Sequence, residues 1–151
     1  MNDPIESVEA VPSIDGRTAL NGMQSLMATL PQLELGTEHR FADGMYARIL
    51  SRMAGDLIVG KVHRREHFYI IAKGCVAVSD GGEPAQVHEA GTVLVSKPGT
   101  KRAVLALEDS ICMTVHRTDK LNLDDIENEL IEPDPGALFD AGNNLKAEAI
   151  E

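Results

Sequence analysis

The sequence predicts an all-β domain flanked by one short helix on each side, and three observations carry that prediction. From about Leu33 the chain breaks into nine short runs rich in Val, Ile, Leu and Thr, separated by turn residues. No helical period interrupts those runs, which is the pattern of an antiparallel sandwich or barrel. Outside them, two stretches place apolar residues three and four positions apart, the spacing of one helix face.

Residues 1 to about 16 show no periodicity and contain Pro4, Pro12 and Gly16, so a flexible arm is expected there. Arg17 to Leu30 sets Leu20, Met23, Met27 and Leu30 at helical spacing, and Pro31 stops the helix. Gly22 weakens it. The expected strands are 33–41, 44–50, 57–63, 67–73, 75–79, 84–88, 92–96, 101–107 and 110–116. Asp43-Gly44, Ala54-Gly55, Lys73-Gly74, Asp80-Gly81-Gly82, Ala90-Gly91, Pro98-Gly99 and Glu108-Asp109 punctuate them. Asn122 or Asp124 can then cap a short helix through Ile131, ended by Pro133 and Pro135. Three segments result: 1–32 as arm and helix, 33–118 as the β domain, and 119–151 as a short helix and acidic tail.

The chain has 151 residues, enough for one domain, and only 3% aromatics with no Trp, so the core must rest on aliphatic side chains and Met. No apolar run approaches the roughly 20 residues of a membrane helix. The first sixteen residues carry acids and no base, unlike a secretory signal, so a cytoplasmic location is the expectation. Cys75 and Cys112 lie in apolar runs without a neighbouring Cys or His, as buried reduced thiols do. The net charge of −10 argues against a nucleic-acid polymer as partner. That charge is uneven: residues 33–120 hold 12 bases against 11 acids, whereas 121–151 hold nine acids and one base.

The stretch GDLIVGKVHRREHFYIIAKG, Gly55 to Gly74, resembles the first signature of the cupin superfamily, a glycine-framed pattern that carries two histidines and a glutamate. Lys61 stands where that signature has its first histidine, His63 on the second, and His67 on the glutamate. A second signature aligns on Gly91 and Gly99, with Lys97 on its proline, Arg102 on its histidine and Ala106 on its asparagine. The resemblance spans about residues 35 to 118. It implies a double-stranded β-helix, or jelly-roll barrel, and self-association into a homo-oligomer, to which the two tails would contribute. HRREHFYIIAKG followed by SKPGTKRAVLALEDSICMTVHRTD is similar, more narrowly, to small cupin-like proteins of bacteriophages and prophages, which implies a viral origin but no reaction.

Two chemistries are open at the altered positions. A divalent Fe, Mn, Ni or Zn would need a third ligand beside His63 and His67, and His116 is the candidate. Pairing 101–107 with 110–116 as a hairpin, however, turns His116 away from a cavity that Arg102 faces. Glu66, beside His67, faces the other way. The substitutions otherwise share a sign: Lys61 and Arg102 replace neutral ligands, with Lys97 and Lys101 on the nearby turn. Such cations attract phosphate or carboxylate. His63 and His67 would then serve as hydrogen-bond partners, and Tyr69, in phase with His67, as a stacking surface or a core aromatic. Arg64 and Arg65 read as solvated turn charges, and His39 and His88, without partners by spacing, as surface or strand-edge residues. The leading expectation is a binder without turnover, holding an anionic, nucleotide-like molecule in a basic pocket, in the service of a phage. A metal-dependent dioxygenase, isomerase or lyase is the second reading. A structural or virion-associated protein is the third.

Overall fold

The computed structural model describes residues 16–30, 36–134 and 136–144. The expectations of a flexible arm over residues 1 to about 16 and of the stop at Pro31 fall outside the described residues or at their edge. Of the polar tail expected over 141–151, residues 141–144 are described and are not a free tail, since Ala141 is buried and Asn143 bonds Arg48 and Thr37. The elements run α1 (Gly16–Met27), β1 (Gly36–Ala42), β2 (Met45–Arg52), β3 (Leu57–Val59), β4 (His67–Lys73), β5 (Cys75–Ser79), β6 (Gln86–Glu89), β7 (Val93–Ser96), β8 (Ala103–Ala106), β9 (Ser110–Arg117) and α2 (Leu123–Leu130). Among the described residues nine strands and two helices thus occur in the expected order. The domain is all-β apart from its terminal helices.

The strands form two antiparallel sheets, one ordered β1-β2-β9-β4-β7 and the other β3-β8-β5-β6. Their inner faces meet in a core of Tyr69, Ile71, Val76, Val78, Val104 and Cys112, drawn from both sheets. The chain changes sheet six times between β2 and β9, and this corrects the local hairpin expected from the sequence. β8 pairs with β3 and β5, whereas β9 pairs with β2 and β4, so 101–107 and 110–116 do not form a hairpin. The strand expected over 57–63 is also shorter: β3 ends at Val59, and residues 60–66 cross between sheets, with His63 in an isolated bridge to Ile131. Strand periodicity is local, but the partner across a turn is set by which face must be buried.

Gly74 shows what a crossing demands. It lies between β4 of one sheet and β5 of the other at φ +83°, and a Cβ there would strike Ser110 Oγ and come within 2.5 Å of the Asp109 carbonyl. Only glycine takes such a corner without strain.

The helices seal the ends. Asn122 caps α2, its side chain accepting from the Asp124 and Asp125 amides. Ile126 and Leu130 then pack with Ile131 on Tyr46 of β2. In α1 the expected apolar stripe is only partly used: Leu20 and Gln24 are buried, while Met23 and Leu30 are exposed. Gln24 is held by Asp134, at 3.3 Å, so a polar contact replaces part of the apolar seam. Among the described residues no helix is long and apolar enough to cross a membrane.

Gly74→Ala is expected to lower the unfolding free energy by more than about 1–2 kcal/mol, the left-handed penalty plus the clash. Gly22→Ala, in the middle of α1 with nothing within 4 Å of the added methyl, is expected to raise it by about 0.5–1 kcal/mol. Urea unfolding followed by circular dichroism measures both.

Candidate functional site

Alternation on three neighbouring strands builds the site. Tyr46 pairs with His116 and Arg48 with Thr114 across β2 and β9, and Tyr69 of β4 pairs with the same Thr114. Arg48, Leu50 and Arg52 therefore point inward from β2, His67 and Tyr69 from β4, and Cys112, Thr114 and His116 from β9. Between the sheets all of these except His116 line a cavity of about 150 Å³, and His116 lies beside it against His63 and His67. Lys61 and His63 reach it from the crossing segment, Arg102 and Val104 from the other sheet, and Leu138, Phe139 and Asn143 from the C-terminal segment.

The lining has one sign of charge. Arg48, Arg52, Lys61 and Arg102 border the cavity, and no Asp or Glu is among the described lining residues. Lys61 is answered by an ion pair with Glu127 of α2, and Arg48 donates to Asn143 Oδ1. The other two are under-satisfied. Arg52 is only 7% exposed and reaches the Tyr69 hydroxyl at 3.3 Å, yet its Nε and Nη1 are buried without a partner among the described residues. Arg102 lies 5.9 Å from the Tyr69 ring centroid and has Nη1 buried and unpartnered. Burial raises the Tyr69 phenol well above its ordinary range, so Tyr69 supplies no negative charge.

Beside these cations three imidazoles converge. His63, His67 and His116 have ring centroids 4.2, 4.6 and 4.9 Å apart, and one nitrogen from each lies within 4.8 Å of the others. His67 Nδ1 faces the Arg65 carbonyl at 3.4 Å, and His116 Nε2 the Thr114 hydroxyl at 2.8 Å. Burial pushes His63 down to about 3 and His116 to about 2, helped by the neighbouring rings and Arg48. Burial also lowers His67, with the Arg102 charge adding to it. All three are neutral at pH 7, the form that ligates metals.

Of the residues singled out in the sequence, Lys61, His63, His67, Tyr69 and Arg102 all border this cavity. His116 joins His63 and His67, contrary to the hairpin argument, because β9 pairs with β4 and not with β8. Lys97 and Lys101 do not border it. Lys97 is exposed and pairs with Glu66 at 2.9 Å. Lys101 is buried on the opposite side of its segment from Arg102, bound to Asn21 at 2.7 Å and Asp134 at 3.0 Å. His39 lies on the edge strand β1, one of the two expected placements, and its ring bonds the Tyr46 hydroxyl at 2.6 Å. Arg64 reaches the Ile131 carbonyl and Arg65 pairs with Glu129, so both turn charges are held by the α2 region. Both cysteines are free thiols, and Cys112 borders the cavity.

The sequence reading passed over Arg48 and Arg52. The signal was present in the alternation Tyr46, Arg48, Leu50, Arg52, which puts two arginines in phase with two core side chains. The wall at 137–143 gave no signal, because its role depends on where the chain goes after α2.

Two facing antiparallel sheets with glycine-cornered crossings define the double-stranded β-helix fold of the cupins, and solved structures agree. The chain is similar to KdgF from Halomonas sp. (18% identity, 62% of this chain and 84% of that one, TM-score 0.51). It is also similar to an uncharacterized double-stranded β-helix protein from Klebsiella pneumoniae (16% identity, 59% and 81%, TM-score 0.50). No protein-family profile and no curated protein matches the chain.

The buried histidines give a pH signature. Their folded-state affinities for protons lie below the unfolded value of 6.5, so the unfolded chain binds more protons as pH falls. Stability from these groups is whole above about pH 6.5 and drains away as pH falls toward the folded-state values, about 3 for His63 and about 2 for His116. Metal-free protein is expected to lose a few kcal/mol between pH 7 and pH 4.5. His116→Gln is expected to flatten that slope, as urea titrations at fixed pH would show.

Proposed function

We propose that this protein binds a small anionic molecule in the cavity between its sheets. The observation that carries this reading is the buried Arg52, with two guanidinium nitrogens unpaired in a cavity that has four cations and no carboxylate along its described lining. A buried polar donor left unpaired costs about 1–3 kcal/mol, and more when charged. A carboxylate or phosphate would satisfy Arg52 and Arg102 with charge-assisted bonds, and neutral His63 and His67 would add polar contacts. The apolar remainder of the wall, Leu50, Val104, Leu138 and Phe139, suits a hydrocarbon or ring body.

Size narrows the ligand. An engineered apolar cavity of about 150 Å³ takes benzene, and this cavity has a similar volume. The enclosed part of the ligand is therefore of ring size, such as an aryl or short-chain carboxylate or a sugar phosphate. A nucleotide, the fuller expectation from the sequence, would enter by one end and leave the remainder at the open mouth. Sequestration of such a signal by a phage protein rests on the sequence resemblance and requires that protruding geometry.

Arg52→Met provides the test. With no ligand present, replacing an unpaired buried cation by an apolar chain of similar length is expected to raise stability, by on the order of 1–4 kcal/mol. The same variant is expected to lose any thermal stabilisation that millimolar benzoate or phosphate gives the wild type. A variant that is less stable, or that is stabilised as well as the wild type, would remove the basis for the reading.

A second reading is favoured by the three imidazoles. Their donor set suits Fe, Mn, Ni or Zn. Metal–nitrogen bonds of about 2.0–2.1 Å place tetrahedral ligands about 3.3 Å apart, so nitrogens now within 4.8 Å need modest closure. A bound ion would polarise an oxygen of the anion held by the arginines. His63, His67 and His116 would hold it, while Arg52 and Arg102 would orient the anion. Elemental analysis of untagged protein decides this: one equivalent of metal in the wild type and none in His116→Ala is expected if the reading holds. A metal-free wild type after growth in metal-supplemented medium would overturn it.

A further inference from the structure

Cys112 is the one thiol on the described cavity wall, and neither reading of the site uses it. It is 2% exposed and stands directly opposite Leu50 of β2 and Ile71 of β4. Arg52 and Tyr69 are therefore its diagonal neighbours on the same inward face, at the roughly 7 Å that long and aromatic side chains bridge. The Tyr69 hydroxyl closes the group. Arg52 Nη2 donates to it at 3.3 Å, and Tyr69 and Cys112 belong to one packed core. Burial keeps the phenol protonated against the Arg52 charge, with the Cys112 side chain adding to the effect of burial.

We propose that Cys112 is a site of oxidation by hydrogen peroxide, and that its sulfinate becomes an internal counter-ion for Arg52 that shuts the pocket to other anions. The thiol sulfur attacks one peroxide oxygen: an S–O bond forms, the O–O bond breaks, and the departing hydroxide takes the thiol proton and leaves as water. A second peroxide repeats the exchange on the sulfenic acid and yields sulfinic acid and another water. Sulfur loses two electrons in each step, and peroxide gains them. The sulfinic acid then releases its proton, and its two oxygens offer a guanidinium the same fork as a carboxylate. Arg52 Nε and Nη1, buried without a partner among the described residues, are the donors left for it.

Geometry selects both the oxidant and the end point. Hydrogen peroxide is little larger than water, and a cavity of about 150 Å³ admits it. A disulfide would need a second thiol with its Cα within about 7 Å. The only other cysteine is Cys75, next to the core residue Val76 in β5, so alternation turns it to the outer face of the opposite sheet. With no resolving thiol in the chain, the sulfenic acid goes on to sulfinate. The closing of the pocket rests on the anion-binding reading, whereas the modification itself rests on Cys112, Arg52 and Tyr69 alone.

Peptide mapping by mass spectrometry after peroxide treatment tests the site. The peptide holding Cys112 is expected to gain two oxygen atoms in the wild type, and to do so about tenfold more slowly in Arg52→Met, the effect of losing one charge-assisted hydrogen bond. Melting supplies a readout with a sign, measured against Cys112→Ser treated alike to subtract methionine oxidation. Oxidation is expected to raise the melting temperature of the wild type, where the new anion meets Arg52. In Arg52→Met, where that anion is buried alone, it is expected to lower it. Cys112 that stays reduced while Cys75 oxidises overturns the proposal. So do equal rates in both proteins, or an oxidised wild type that melts lower. The response to benzoate is read on the same samples, and oxidation is expected to abolish it; an oxidised wild type that still responds overturns the closing of the pocket. A reduced wild type that ignores benzoate and phosphate, with Cys112 still oxidising under Arg52 control, sinks the anion reading and leaves the modification site standing.

Discussion

Thr114 sits at the crossing of two registers: it faces Arg48 on β2 and Tyr69 on β4. Those pairings fix which side of each strand looks into the molecule, and the inward set is then Tyr46, Arg48, Leu50 and Arg52 against His67, Tyr69, Cys112 and His116. A one-residue slip of β9 would send its histidine outward and break the cluster of three rings. It would also place Met113 and Val115 in the cavity. Because the polar inner set depends on this one register, the candidate site stands or falls with it.

The cost of that arrangement is buried positive charge. A protein with net charge −10 keeps its acids on other surfaces, most densely beyond residue 120, and lines its cavity with guanidinium and imidazole. Glu127 reaches in from α2 to answer Lys61, and Asn143 answers Arg48. Arg52 and Arg102 have no such complement. The imidazoles avoid the problem by staying neutral, their proton affinities lowered by burial and by one another. Local instability of this kind is characteristic of binding sites, and it is what supports the proposed anion.

Much of the fold was legible in the sequence because its corners are chemical. Gly44, Gly55, Gly74, Gly81, Gly91 and Gly99 all adopt positive φ, and each stands in a dipeptide or tripeptide that marked a turn. Asn122 was legible as a cap for the same reason, since its side chain bonds amides only two and three residues ahead. His116 was not, because its position depends on β9 joining β2 and β4 rather than its neighbour in sequence. Lys101 and Arg102 illustrate the limit from the other side. Adjacent and equally cationic, they diverge to a buried ion pair with Asp134 and to the cavity wall. The acid that claims Lys101 is 33 residues away.

Native mass spectrometry of protein purified without added ligand tests the anion-binding role most directly. The expected spectrum shows each chain carrying a small organic adduct that releases a carboxylate or phosphate ion on activation, and Arg52→Met shows the bare chain alone. A bare wild-type chain that also gains no mass from a large excess of aryl carboxylates, short-chain carboxylates and sugar phosphates would contradict it.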